Sequence, residues 1–177
     1  LNMAGLGYTG MEHSLHAAAA LATVLGLWIF LTEGRIGALL ILGTFFAPLF
    51  RLEGLALSGL ACLALLVRGQ WRAGLALGAA TLAPVLGFMA FLHGLGLGWL
   101  PGSVIAKVNI IGAQLGPLQR ALAQFIVNLI PLQGKLIAAA TLICLALPLL
   151  VRALRRDGRG LFALALGLAG LAHLLGG

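Results

Sequence analysis

Acidic residues are scarce: Glu12, Glu33, Glu53 and Asp157 are the only four in 177 residues, against eleven lysines and arginines. Charge of both signs makes up 8% of the chain, too little to solvate a soluble domain of this length. The two cysteines, Cys62 and Cys144, lie inside apolar runs. Small buried hydrophobes are their ordinary role there, so neither a disulfide framework nor a cysteine metal site is indicated. No serine sits in a nucleophile elbow, and no phosphate-cradling glycine loop occurs. No internal repeat or low-complexity linker divides the chain, which reads as a single membrane unit. What remains is oil: 62% of the residues are hydrophobic and the mean hydropathy is +1.12, values that indicate an integral membrane protein. The net charge of +7 is then read through loop placement, which excludes nucleic acid as a partner and makes the lipid bilayer the first one.

A hydrocarbon core of about 30 Å takes about 20 apolar residues in a helix. The pattern predicts an all-α transmembrane bundle of five or six spans, near residues 14–32, 36–50, 54–67, 73–94, 134–151 and 160–176. The second and third are short, so they either borrow flanking residues or form a hairpin covered by protein. Between 94 and 134, Pro117 can open a helix with Arg120, Gln124 and Asn128 on one face and Leu118, Leu122, Phe125, Ile126 and Leu129 on the other. This external juxtamembrane helix either lies in the membrane interface or caps the spans.

The bases orient the bundle. Arg35, Arg68, Arg72, Arg152, Arg155, Arg156 and Arg159 all fall in three short connections on one side, expected to be cytoplasmic. The opposite, external side receives residues 1–13, the 51–53 turn and the 95–133 loop. Arg51 and Glu53, which interrupt the oily stretch FFAPLFRLEGLALSG, are thereby expected at the external end of a hairpin. At mid-bilayer each charge would cost at least about 2.5 kcal/mol.

Three polar groups converge on that side: Glu12, His13 and His16 in YTGMEHSLH, then Arg51 with Glu53, then Lys107 at the end of GWLPGSVIAK. Glu12 and His16, at i and i+4, could share a divalent metal ion, although no second ligand pair at coordinating spacing occurs. Otherwise Glu12 complements the helix N-terminus, and Arg51 with Glu53 closes a turn as an ion pair. In the functional alternative, Arg51 and Lys107 hold a phosphate, one by its fork and the other as a point charge. His93 and His173, near span ends, read as packed or interfacial, and Trp28, Trp71 and Trp99 as packing or interface anchors.

In this order the residues resemble the polytopic GT-C glycosyltransferases, inverting membrane enzymes that use polyprenyl-phosphate sugars. One bacterial branch carries G-[LM]-E at the start of a span, an R-P-E-G turn, a basic cytoplasmic loop and an external L-P-N-[ST]-x-x-A-K segment. Here Gly10-Met11-Glu12, Arg51-Leu52-Glu53-Gly54, Arg68 to Arg72, and Leu100-Pro101-Gly102-Ser103-Val104-Ile105-Ala106-Lys107 correspond. Leu52 and Gly102 stand where that pattern has proline and asparagine. The resemblance spans about residues 7 to 110. It implies transfer of a sugar from a polyprenyl-phosphate donor to a glycan, lipid or protein acceptor on the external face. Glu12 and Glu53 would serve the acceptor side, and Arg51, Lys107, His13 and His16 would bind substrate.

Such enzymes commonly place an acidic catalytic residue in a first external loop, upstream of the matched region. The sequence, which opens on Leu1 with no basic segment ahead of an apolar one, is therefore expected to be the middle or C-terminal part of a longer chain. The nine arginines against two lysines and the Ala, Gly and Leu filling the spans fit a bacterial cytoplasmic membrane. The competing class is a non-enzymatic transporter or export subunit, which would place polar residues through the membrane depth and show inverted repeats. The span interiors are nearly uncharged, which favours the transferase.

Overall fold

The computed structural model describes residues 3–99, 116–151 and 157–176, with side chains from His13 onward. It is all-helical, with no strand among the described residues. The helices are α1 (Met3–Glu33), α2 (Ala38–Phe50), α3 (Gly54–Val67), α4 (Trp71–Gly94), α5 (Pro117–Leu129), α6 (Leu132–Leu150) and α7 (Gly158–Gly176). Four of them, in α1 over His13–Glu33 and in α4, α6 and α7, are long and apolar enough to cross a membrane.

The two short predicted spans are α2 and α3, of 13 and 14 residues and so about 20 Å each at 1.5 Å per residue. They form a helical hairpin whose turn is Arg51, Leu52 and Glu53. A further difference is α1, which begins eleven residues before the predicted 14. Gly5, Gly7, Tyr8, Gly10 and Glu12 are too polar or too small to register as a span, yet the backbone there continues the helix past the hairpin turn.

The end of the bundle that carries the Arg51–Glu53 turn is termed here the turn end. Helix α1 runs from it to the far end, α2 returns, α3 descends, α4 returns, α6 descends and α7 returns. Close backbone approaches fix this order. A Cβ at Gly26 would overlap the Leu40 backbone, one at Gly43 would overlap the Thr23 backbone, and one at Gly158 would overlap the Leu31 carbonyl. In lipid there is no hydrophobic drive between helices, so such small-residue contacts, with their dispersion gain, carry the association. Thr23 Oγ1 uses its proton within α1, donating to Ala19 O at 2.9 Å.

The buried core lies in the far half: Leu27, Phe30 and Leu31 of α1, Leu40 of α2, Ala61, Ala64 and Leu65 of α3, Leu77 of α4 and Ala165 of α7. Trp28 meets Phe162 edge-on at 5.0 Å, as expected of a packing anchor. At the far end Arg68 Nη2 donates to Leu31 O at 2.9 Å. It satisfies one of the carbonyls left open by the end of α1 and ties α3 to it.

The predicted amphipathic helix is α5. Its start is closed by Gln119, whose Oε1 accepts from Gly116 N at 3.1 Å. The polar row turns inward: Gln124 Nε2 donates to Asn128 Oδ1 at 3.1 Å, and Asn128 Nδ2 donates to Leu174 O at 3.0 Å in the last turn of α7. Leu118, Leu122, Ile126 and Val127 are exposed. The helix therefore caps α7 with its polar face and presents an apolar face outward, the reverse of a helix on a soluble protein.

Candidate functional site

The turn end holds the polar cluster. Arg51, extended at φ −151°, ends α2 while its N–H still donates to Ala47 O at 3.2 Å. Gly54 N then donates to Arg51 O at 2.8 Å, closing a four-residue turn over Leu52 and Glu53. Leu52 occupies the position where such turns favour proline, and the turn forms without it. Glycine at position 54 follows from a close approach: a Cβ there would overlap the carbonyl of Ala47.

Within this turn the guanidinium of Arg51 meets the carboxylate of Glu53 by two parallel bonds, Nε to Oε2 at 3.1 Å and Nη2 to Oε1 at 3.3 Å. The paired side chains are 26% and 24% exposed, whereas Arg35 and Glu33 at the far end pair at 75% and 50%. The far-end pair is a solvated surface contact of little worth. The Arg51 pair is screened less, and its fork geometry holds the guanidinium plane in place.

Helix α1 adds two imidazoles from the same face. Arg51 Nη1 stands 2.8 Å from His13 Nε2. Because a guanidinium only donates, Nε2 accepts and the ring is neutral with its proton on Nδ1. One turn deeper, His16 Nδ1 lies 3.2 Å from Ala47 O; a carbonyl only accepts, so this nitrogen carries a proton and donates. Three of the five Arg51 N–H groups are thus engaged by Glu53 and His13, and two are left for a ligand among the described residues.

The fold therefore brings together four of the six predicted residues: His13, His16, Arg51 and Glu53. Glu12 belongs to α1 one position before His13, but its side chain lies outside the described residues, and so does Lys107 altogether. The metal pairing of Glu12 with His16 therefore rests on a side chain outside the described residues. The His13 Nε2 lone pair is committed to the Arg51 guanidinium. Among the described residues no three His, Cys, Asp or Glu side chains group to hold an ion. At the two ends of α4, His93 stacks on Trp99 with ring centroids 4.2 Å apart, and Arg72 covers Trp71 at 5.1 Å.

Sequence reasoning passed over Ser58 and Pro48. Ser58 Oγ, 1% exposed, donates to the Thr44 carbonyl at 2.8 Å. The legible signal was a proline inside an apolar helix, which must leave the carbonyl four residues earlier without its usual donor.

No family model, no curated protein and no solved structure matches the chain.

Proposed function

We propose that the chain is part of a membrane glycosyltransferase of GT-C type. It would transfer a sugar from a polyprenyl-phosphate donor to an acceptor hydroxyl at the turn end of the bundle, on the external face of a bacterial cytoplasmic membrane. The observation that carries the reading is the half-buried guanidinium of Arg51, held by Glu53 and His13 at the level where a spanning helix leaves the apolar region. A lipid phosphate is the anion found at that depth, and a pre-aimed guanidinium recognises its oxygens through paired N–H groups.

In the proposed reaction the acceptor oxygen bonds to the anomeric carbon as the bond from that carbon to the phosphate oxygen breaks. The acceptor proton passes to a carboxylate, and polyprenyl phosphate departs with the electron pair. Arg51, with Lys107, stabilises the charge that builds on the leaving phosphate, and Glu12 and Glu53 serve the acceptor side. Base and electrostatic contributions of this kind are each worth about 10²-fold or more.

The test is equilibrium binding of a long-chain polyprenyl phosphate, with the uncharged polyprenol as control, to the protein in nanodiscs. Arg51→Ala should weaken the phosphate about ten- to hundredfold, the cost of one charge-assisted site, and leave polyprenol binding unchanged. Equal phosphate affinity of the two proteins would remove the reading.

A further inference from the structure

Pro48 lies one turn before Arg51 in α2. A proline in a helix interior has no N–H, and its ring pushes away the carbonyl four residues earlier. That carbonyl belongs to Thr44, which is completely buried. A buried carbonyl without a donor is costly, and the donor comes from the neighbouring helix: Ser58 Oγ of α3, at 2.8 Å. The close seating of Gly54 on Ala47 and Pro48 brings α3 near enough for this. From the other side, His16 of α1 donates at 3.2 Å to the buried Ala47 O, which also accepts from Arg51 N–H. The last turn of α2 is thus gripped by α3 at Thr44 and by α1 at Ala47, and Arg51 projects from its end.

We infer that Ser58 is a positioning residue for Arg51: its hydroxyl replaces the backbone hydrogen bond that Pro48 deletes, and so fixes the direction in which the guanidinium leaves α2. This rests on the proposed phosphate role of Arg51 for its functional meaning, but not for its geometry. Proline makes the last turn deformable, and the hydroxyl makes the deformation definite. Without Ser58 the turn can rotate to find a donor, and the bond between Arg51 and His13, which reaches across to another helix, is the first to feel it.

The logic is reversible, which makes it testable. In Ser58→Ala, Thr44 O loses its donor. In the double variant Pro48→Ala/Ser58→Ala, the amide of residue 48 supplies it again from within α2. The full chain in nanodiscs is labelled with ¹⁵N-histidine, and the His13 ring signals are assigned by their loss in His13→Gln. Ser58→Ala should move the His13 Nε2 signal toward its position in Arg51→Ala and weaken polyprenyl phosphate about five- to tenfold. The double variant should return both readouts to within about twofold of the parent. A role confined to stability would lower the melting temperature of Ser58→Ala and leave the His13 signal in place. An unmoved His13 signal in Ser58→Ala, or a double variant no better than the single one, overturns the inference. If the His13 signal follows this pattern while phosphate affinity ignores every variant including Arg51→Ala, the positioning role stands and the phosphate reading falls.

Discussion

Arg51 Nη1 and His13 Nε2 lie 2.8 Å apart although 38 positions separate them in the chain. The contact closes the antiparallel pair α1 and α2 at the turn end, as the seating of Gly26 on Leu40 does farther down. Because a guanidinium can only donate, the imidazole has to accept, and acceptor capacity at position 13 is what the arrangement requires.

Glutamine at position 13 can place Oε1 where Nε2 stands, and leucine cannot. His13→Gln should bind polyprenyl phosphate within about twofold of the parent, and His13→Leu about five- to tenfold more weakly, the worth of one hydrogen bond to a charged group. Titration of both variants in nanodiscs checks this. Equal behaviour of the two would show that the imidazole does not hold Arg51.

The helix contacts predict a contrast between two glycines. At Gly43 an added Cβ would stand 2.7 Å from Thr23 Oγ1 and 2.9 Å from Ala19 O, whereas at Gly59 nothing lies within 4 Å. Gly43→Ala should therefore force α1 and α2 apart at a cost of about 1–3 kcal/mol. Gly59→Ala, in the middle of α3, should be neutral or stabilising by up to about 1 kcal/mol. Reversible unfolding in mixed micelles measures both, and a tolerated Gly43→Ala would contradict the tight α1–α2 seam.

The outward apolar face of α5 predicts a depth pattern. Spin labels at Leu118→Cys, Leu122→Cys and Ile126→Cys should be accessible to oxygen and shielded from a water-soluble nickel reagent. Shielding from both reagents would mean that protein, rather than lipid, covers this face. Asn128→Ala should loosen α5 from α7 by removing the bond to Leu174 O, worth about 1 kcal/mol, and raise amide exchange through residues 117–129.

Some of this was readable residue by residue. The apolar runs dictated helices because backbone groups in lipid must bond within their own segment. The alternation of those runs placed His13, His16, Arg51 and Glu53 at one end of the bundle, since each crossing reverses direction. Pro117 and the four-residue recurrence of Arg120, Gln124 and Asn128 located α5. Its inward polar face was not legible, because that depends on an open carbonyl at the end of α7. Nor was the N-terminal extent of α1, where residues 3–12 are helical without being uniformly apolar.

The sequence by itself determined that the chain is a helical membrane protein with its few charges gathered at helix ends, because apolarity and crossing direction are properties of the one-dimensional string. Tertiary structure alone decided which groups meet. The bond from His13 to Arg51, the grip of His16 and Ser58 on α2, and the lodging of Arg68 on Leu31 O each join positions at least 14 residues apart. Such bonds follow from the rotation of each helix about its axis, which small-residue packing sets and periodicity leaves open.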